Sequence, residues 1–551
     1  MLSSLLVGLA LHAASAYAAP SLAPTVQISG GTFVGDRGLT VHKFLGIPFA
    51  HPPVGNLRFR LPQPIESYNG TYDASKYGPS CPQQAVSLPL LRGLPAEAAD
   101  YVVNSVFKQV FPDDEDCLTL NIVKPATAGP NDKHPVLVWI FGGGFQLGST
   151  SISLPRLRRY DGSGVVARSI SQREPVVFVS MNYRLNGFGF MAGKEVRNAG
   201  VGNLGLHDQR EALRWIKKHI SAFGGDPDKV TIWGESAGAI SAALQMVAFD
   251  GNSEGLFRGA FMQSGAPIPV GPIENGQGYY DDVVRDTGCA DATDTLQCLR
   301  TVPYDRLKAA IDSTPGIFDY QSLRLTWLPR EDGVFLTDEP LKLVQQGKVA
   351  NIPYVNGNCD DEGTLFSIAT MNVTTDAEFR SWLGGTFLPN LSAEQVDGIA
   401  RHYSQRPSEG SPFGTGLLNA ITPQFKRFAA FQGDGVFQAP RRWFLRHTAH
   451  KQNVWAYVSK RFKALPVLGA AHATDLANSF FGGEMGEHII RFTNKLDPNG
   501  GLLDFNWPKY NTNTKQMLVY RDGVVPLART TDDYREEAMN YLMEVTLANP
   551  V

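Results

Sequence analysis

The sequence has no marked excess of charge of either sign. Its 551 residues include 50 Lys and Arg and 53 Asp and Glu, so the formal net charge is −3 at pH 7. Proteins that bind nucleic acid usually present a strongly basic surface. The balance of charge therefore predicts a protein without a nucleic-acid partner.

Cysteine is scarce, with five residues in the whole chain, at positions 81, 117, 289, 298 and 359. No two of them have the Cys-x2-Cys spacing of a zinc site, and they do not cluster with histidine. We therefore expect no metal and no cofactor. An odd count allows two disulfides and one free thiol, but the sequence alone leaves the pairing open.

Long apolar runs are missing beyond the first residues of the chain. No later stretch reaches the ~20 apolar residues that a membrane span requires, so no integral membrane anchor is expected. Residues 5–11 form a short apolar core, and small residues follow up to Ala18. This order is typical of a secretory signal peptide at residues 1–18, cleaved after Ala18 or Ala19; a buried helix is the alternative.

Three Asn-x-Ser/Thr sequons agree with export, at Asn69, Asn372 and Asn390. In a secretory pathway such asparagines accept N-linked glycans, although sequons also arise by chance. The sequence thus predicts a secreted, extracellular glycoprotein.

Internal repeats and low-complexity linkers are also absent, and short β-rich runs alternate with helical patterns. Between the runs at 175–180 and 229–233, residues 206–220 have helical spacing and stop at Gly224 and Gly225. Strand, helix and strand with short connections predict parallel pairing. The continuous apolar runs typical of strands buried on both faces are residues 135–141, 175–180 and 229–233.

Further runs at residues 353–355 and 454–458 also indicate strands, and residues 26–29 and 40–46 suggest an antiparallel edge. The fold class expected from this order is α/β. We predict one large α/β domain over residues 19–551, elaborated by long insertions.

The pattern Gly-x-Ser-x-Gly occurs twice, at residues 234–238 and 251–255. The first copy follows a predicted strand and opens a helical pattern, which is the strand-turn-helix setting of a nucleophile elbow. The second copy follows the end of that helix and reads as a loop. Ser236 is therefore the candidate nucleophile, and a glycine-rich turn without chemistry is the alternative.

Three glycines, residues 142–144, directly follow the predicted strand at 135–141. Such a loop presents backbone N–H groups that no side chain shields. The N–H groups of Gly143, Gly144 and Ala237 are the candidate donors to an oxyanion. A flexible turn or a phosphate cradle is the alternative, but no Walker lysine follows.

A nucleophilic serine needs a histidine base and a carboxylate, in the chain order Ser, acid, His. Asp360, Asp361 and Glu362 follow the predicted strand at 353–355, and position alone does not choose among them. His472 lies in a loop of small residues after the strand at 454–458, which favours it as the base. The other downstream histidines, in or beside helical patterns, are residues 402, 447, 450 and 488.

These residues resemble those of the type-B carboxylesterase/lipase family, which includes cholinesterases and secreted fungal lipases and sterol esterases. Two signatures match in full, at residues 223–238 and 115–125, and residues 44–50 are similar. The sequence departs from the family at His51, where glutamate is usual. The resemblance covers nearly the whole mature chain.

The resemblance implies an α/β-hydrolase fold, with a large, mostly parallel sheet and helices on both faces. It implies that Glu362 is the acid and His472 the base. It also implies disulfides Cys81–Cys117 and Cys289–Cys298, a free Cys359, and an Arg58–Glu115 ion pair. The residues expected to line an acyl channel are Phe145, Leu365 and Phe366.

The loop inside the Cys81–Cys117 pair, about residues 82–116, is rich in Leu, Val and Phe, with helical spacing over 98–110. In the fungal lipases the matching loop is a lid, so we expect a lid here; a packed surface helix is the alternative. The loop has no tryptophan to stack on choline, which disfavours a quaternary-ammonium substrate. A homodimer through the open lid is a further expectation.

The function predicted from these features is hydrolysis of water-insoluble esters at a lipid–water interface. The expected substrates are acylglycerols, as for a triacylglycerol lipase, with sterol esters beside them. One alternative is a carboxylesterase for short soluble esters. An alternative of another class is a catalytically inactive, cholinesterase-like adhesion module.

Overall fold

The structure, a computed structural model, describes most of the chain, and its gaps fall mainly in three places. The predicted signal peptide lies outside the described residues, as does most of the predicted lid. None of the described helices is long and apolar enough to cross a membrane. The described residues are 23–85, 94–95, 97–99, 113–150, 153–154, 157–158, 160–501 and 505–551.

One twisted sheet of thirteen strands forms the centre of the described chain, and a two-stranded ribbon, β7–β8, lies apart from it. The strands are β1 (Thr25–Ile28), β2 (Gly31–Arg37), β3 (Val41–Pro48), β4 (Gly70–Ala74), β5 (Thr119–Pro125), β6 (His134–Ile140), β7 (Ser153–Leu154), β8 (Leu157–Arg158), β9 (Val177–Met181), β10 (Gly225–Glu235), β11 (Gly259–Gln263), β12 (Tyr354–Cys359), β13 (Val454–Lys460), β14 (Gln516–Arg521) and β15 (Leu527–Thr531).

The order across the sheet is β1-β2-β3-β5-β9-β6-β10-β11-β12-β13-β14-β15, with β4 beside β2. All neighbours from β9 to β14 are parallel, whereas the β1–β2, β2–β3, β3–β5, β5–β9 and β14–β15 pairs are antiparallel. The predicted parallel centre and antiparallel N-terminal edge are confirmed. Strand β6 lies between β9 and β10, an insertion that the local sequence did not reveal.

Helices cover both faces of the sheet because the central strands are buried on both sides; Val136 to Ile140 are fully buried. The α-helices are Ser163–Ser171, Asn186–Phe190, Lys194–Asn198, Leu204–His219, Ala237–Gly251, Gln277–Asp286, Thr295–Thr301, Tyr304–Asp312, Pro340–Gln345, Asp376–Trp382, Ala393–His402, Phe425–Gly433, Ala439–Thr448, Leu476–Phe480, Glu484–Lys495 and Glu536–Ala548.

The predicted helix at 206–220 corresponds to Leu204–His219, which ends in the 3₁₀ turn Ile220–Phe223. Gly224, at φ 86°, ends that turn, as predicted. Gly225, directly after it, is the first residue of β10, which begins four residues before the predicted run at 229–233. The β6–β10 register is irregular between Gly225 and Val230.

Both predicted disulfides, Cys81–Cys117 and Cys289–Cys298, are present, and Cys359 is a buried free thiol. Beside the first disulfide, Arg58 and Glu115 form a buried bidentate ion pair with two N···O distances of 2.5 Å. The disulfide joins the two ends of the predicted lid to each other, and the ion pair attaches the C-terminal end to Arg58 in the body of the protein.

Candidate active site

The backbone turns sharply between β10 and the helix Ala237–Gly251. Ser236, at this corner, has φ 57° and ψ −128°, a strained conformation that persists only when its surroundings enforce it. Glycines leave room for the turn. A Cβ on Gly234 would lie 2.3 Å from the Gly238 carbonyl, and a Cβ on Gly238 would lie 2.0 Å from the carbonyl oxygen of Ile140.

Ser236 is held from two sides at this corner. Its N–H donates to the carbonyl of Gln263 on the neighbouring strand β11, at 2.8 Å. Its carbonyl accepts from the N–H of Ile240 in the first helical turn, at 2.9 Å. The serine side chain therefore stands at a helix N-terminus, where the free N–H groups and the positive end of the dipole favour developing negative charge.

The three-glycine loop after β6 faces the same corner. Gly143 and Gly144 have φ 117° and 62°, and a Cβ on Gly143 would lie 2.2 Å from the carbonyl oxygen of Leu147. The Gly143 carbonyl is engaged within the loop, where it accepts from the N–H groups of Gln146 and Leu147. Ala237 begins its helix, so its N–H has no intrahelical acceptor. All three predicted oxyanion donors thus lie around Ser236.

Glu362 and His472 meet across the carboxyl edge of the sheet. Glu362 follows β12 and His472 follows β13, and these strands are parallel neighbours. His472 Nδ1 lies 2.6 Å from Glu362 Oε2, while Glu362 Oε1 accepts from the N–H of Cys359 at 2.7 Å. Both carboxylate oxygens are therefore engaged, which fixes the side chain that orients the imidazole.

Asp361, a second candidate acid, points away from the histidine. Its carboxylate is fully buried and accepts from the N–H of Phe413 and the N–H of Ala470, at 2.8 and 2.9 Å. Lys463 Nζ lies 2.7 Å from it. Because Ala470 precedes His472 by two residues, Asp361 joins the loop of the acid to the loop of the base.

Asp360, the third candidate acid, also pairs with Lys463, at 2.5 Å from its Nζ. Of the three carboxylates that position alone left open, Glu362 is therefore the one that contacts His472.

Carboxylates surround His472. Burial opposes its positive charge, but Glu235 and Glu362 together raise the pKa of His472 above its ordinary value. Glu235 Oε1 lies 3.2 Å from His472 Nε2. Burial raises the pKa of the nearby Asp475 to about 6. Sequence reasoning gave no role to Glu235 or Asp475, although one stands inside the first Gly-x-Ser-x-Gly copy and the other three residues beyond His472.

Ser236 and His472 line one cavity of about 540 Å³. Its wall also includes Gly143, Gly144 and the predicted acyl-channel residue Leu365. The nucleophile, the base and the glycine loop are therefore brought together around a single space. The imidazole is flanked by the rings of Phe366 and Phe437, whose centroids lie 5.1 and 4.7 Å from it.

A second, larger cavity of about 830 Å³ also opens at Ser236. Two predicted acyl-channel residues, Phe145 and Phe366, line it, whereas Leu365 lines the smaller cavity. Apart from Arg324 and Thr546, the other side chains around it are nonpolar or belong to glycine. They include Ile240, Ile268, Ile317, Leu323, Leu325, Leu328, Phe387, Leu388, Phe431, Val436, Phe437, Leu542 and Val551.

The Carboxylesterase family matches residues 22–542 of the chain. The chain belongs to this family. "Lipase 4" of Diutina rugosa is 43% identical over 90% of each chain. "Secreted triacylglycerol lipase LIP1" of Gibberella zeae is 39% identical over 94% of this chain and 90% of that relative. The crystal structure of Aspergillus niger EstA superposes with a TM-score of 0.80 at 27% identity, covering 96% of this chain and 99% of that one.

This carboxylesterase-family chain is thus a carboxylic-ester hydrolase with the α/β-hydrolase fold. Its predicted glycan acceptors Asn69, Asn372 and Asn390 are all exposed, and their glycosylation stays a prediction. Two of the four histidines set aside above make hydrogen-bond contacts elsewhere: His447 Nδ1 contacts the Trp443 carbonyl, and His488 Nδ1 contacts the Tyr520 hydroxyl.

Proposed function

We propose that Ser236 attacks the carbonyl carbon of an ester and becomes acylated. His472 takes the hydroxyl proton at Nε2 and passes it to the leaving alkoxide, so an alcohol departs. Glu362 holds the imidazole tautomer through Nδ1 and stabilises the imidazolium. The 2.6 Å contact between Glu362 and His472 supports these roles.

The second half of the reaction returns the enzyme to its starting state. His472 takes a proton from water, and the hydroxide adds to the acyl carbon. The bond between this carbon and Ser236 Oγ then breaks, Oγ takes the proton back from His472, and the carboxylic acid is released. In both halves the carbonyl oxygen carries negative charge. The N–H groups of Gly143, Gly144 and Ala237 donate hydrogen bonds to this oxygen and stabilise the charge. Each such donor typically contributes ~3 kcal/mol to the transition state.

We further propose that the substrates are water-insoluble esters, triacylglycerols above all. The observation that carries this proposal is the apolar cavity of about 830 Å³ that opens at Ser236. Each CH₂ group buried there contributes ~0.8 kcal/mol, so a long acyl chain binds far better than acetate or butyrate. Relatives named as lipases support the same substrate class.

The test is hydrolysis of p-nitrophenyl esters of rising chain length, together with triolein and a cholesteryl ester. We expect kcat/KM to rise with chain length and triolein to be hydrolysed. A decline beyond short chains, with no turnover of triolein, would make the protein a carboxylesterase for soluble esters. Turnover of the cholesteryl ester decides whether sterol esters are also substrates.

Interfacial behaviour gives a second test. We propose a single hydrolase domain over residues 19–551, with a lid at about residues 82–116 that opens at a lipid surface. The rate against tributyrin should then jump once droplets form. We also infer a homodimer through the open lid, for which sedimentation in detergent should show twice the monomer mass.

We infer secretion after cleavage of residues 1–18. Two disulfides and three exposed sequons support this, since both features suit the secretory pathway. Expression of the whole sequence in a fungal host should release a protein into the medium that begins at residue 19 or 20. Deglycosylation should lower its apparent mass.

A further inference from the structure

Two adjacent leucines stand in the solvent on the loop 411–421. Leu417 is 75% exposed and Leu418 is 73% exposed. A single exposed leucine is ordinary on a protein surface. Two neighbours at one loop tip form a small apolar patch, and Val524 and Val525 form another on the turn between β14 and β15.

The loop holds the leucines outward through its backbone. Gly414, Gly416 and Asn419 have φ 75°, 58° and 67°, so the chain curls tightly around the tip. Beneath it, the buried Lys426 donates from Nζ to the carbonyls of Gly416 and Leu418, at 2.9 and 3.2 Å. An ammonium group fixed inside the curl occupies the inner side of the loop, so the leucine side chains project from the outer side.

Both ends of this loop are attached to the catalytic loops. At its start, Asp361 accepts from the Ser411 hydroxyl and the Phe413 N–H, at 3.1 and 2.8 Å. Near its end, Asn419 Oδ1 accepts from the N–H of Val467, at 2.9 Å, in the segment that leads to His472.

The loop also packs on the apolar wall of the active site. Ile421 packs on a cluster that contains Leu365, Phe366 and Leu468. Leu365 and Phe366 line the cavities at Ser236. The loop that carries the exposed leucines therefore packs against the wall of the active site.

The sequence around the leucines suits an apolar phase. Residues 410–425 contain no charged side chain, so bringing this stretch to a lipid surface desolvates no ion. Two leucines are also far too small a patch for a stable protein interface, which buries roughly 1,200 Å² or more. We propose that Leu417 and Leu418 insert into the lipid surface and hold the active-site rim against it. This inference rests on the proposed lipase function.

The experiment uses the full chain with Ser236→Ala, so that binding is measured without turnover. Flotation with a phosphatidylcholine-stabilised triolein emulsion is compared for this protein and for the same protein with Leu417→Ser and Leu418→Ser. Leu39→Ser is the matched control, since Leu39 is a fully exposed leucine on the turn between β2 and β3. A Leu417→Trp variant tests gain of binding.

We expect the double serine variant to bind about tenfold more weakly, since apolar area drives insertion. Leu39→Ser should bind unchanged and Leu417→Trp more tightly. In the active background, the double variant should keep its rate on monomeric p-nitrophenyl butyrate within about twofold, because the triad is untouched.

Equal flotation of the double variant and its parent would overturn the proposal, and so would equal weakening by Leu39→Ser. A dimer-to-monomer change with unaltered flotation would assign the leucines to a second copy instead and would also overturn it. The proposed function is judged separately, by triolein turnover of the unmodified enzyme, and can stand when the leucine anchor fails.

Discussion

The two Gly-x-Ser-x-Gly copies lie at opposite ends of one helix, Ala237–Gly251. Ser236 precedes its N-terminus, inside a cavity that it shares with His472. Ser253 follows its C-terminus, on a half-buried turn where its hydroxyl accepts from the N–H of Gly255 at 3.4 Å. The dihedral angles of residues 248–250 are already non-helical, so Ser253 lies beyond the end of the regular helix. Only the first copy therefore places its serine at a helix terminus.

The surroundings of the two copies, and not the five-residue pattern itself, distinguish the catalytic serine from the other one. Around the first copy, glycines are required because neighbouring backbone leaves no room for a Cβ at Gly234 or Gly238. Around the second, a Cβ on Gly255 would meet nothing within 4 Å. At the other glycine of the second copy, Gly251, φ is 85° and a Cβ would lie 2.8 Å from the backbone nitrogen of Val349. Packing therefore restricts both glycines of the first copy but only one glycine of the second.

The strongest test of this comparison replaces each serine. Ser236→Ala should lower kcat on p-nitrophenyl butyrate by about 10⁴-fold or more, because the acyl-enzyme cannot form. Ser253→Ala should stay within about twofold of wild type. A fluorophosphonate probe should label wild type and Ser253→Ala only. Labelling of Ser236→Ala would refute the assigned nucleophile. A wild type that neither reacts with the probe nor turns over ester would contradict the proposed mechanism and favour the catalytically inactive alternative.

The second test compares the closing glycines of the two copies. Gly238→Ala drives a Cβ against the carbonyl oxygen of Ile140 and should lower the free energy of unfolding by about 3 kcal/mol or more, beyond ordinary overpacking. Gly255→Ala has space but retains φ 67°, so a cost of about 1–2 kcal/mol is expected. Urea denaturation followed by circular dichroism measures both. Equal losses would contradict the packing argument.

The third test asks whether catalysis at Ser236 depends on Asp361, which joins the loop of Glu362 to the loop of His472. Asp361→Asn removes the buried charge opposite Lys463 and should lower kcat about 10- to 100-fold, since small displacements of catalytic groups are costly. Asp360→Asn, next to it, should cost about threefold or less, because Asp360 makes no contact to the His472 loop other than through lysine. KM for a soluble ester should stay constant in both. A lower kcat/KM that comes from KM alone, with kcat unchanged, would argue against a positioning role for Asp361.

The smallest effect concerns pH. His472 acts as a base when neutral, so kcat/KM rises as pH increases through its raised pKa. Glu235→Gln removes a charge that raises this pKa and should move the acidic limb to lower pH. Glu254→Gln changes the acidic neighbour of Ser253, which pairs with Arg214, and should leave the limb in place. A pH–rate profile on a soluble ester separates the two; an unmoved limb in Glu235→Gln would count against the electrostatic account.

The fold was largely predictable because its central strands are continuous apolar runs, a signal that survives in local sequence. The β6, β9 and β10 runs were all found this way. Their order across the sheet was not, since β6 lies between two strands that follow it in the chain, and nothing local records a long-range pairing.

The candidate site was predictable where a residue has a distinctive local setting, as Ser236 and the three-glycine loop have. Among residues 360–362 it was not, because the direction of each side chain depends on partners about 100 residues away, such as Lys463. The contact of Glu235 with His472 was not predictable for the same reason, because it joins segments that are distant in the sequence. The walls of the large cavity are also built from distant segments.

The large cavity has one further consequence. Among the described residues that line it beyond the nucleophile corner, none belongs to a sheet strand. They lie in loops and helices at residues 268–269, 317–328, 366, 387–388, 431–437 and 542–551. Mutations there can reshape the pocket while the chemistry stays intact. With this layout, substitutions in the loops and helices can change the range of acyl chains that the pocket accepts, while the catalytic residues stay in place.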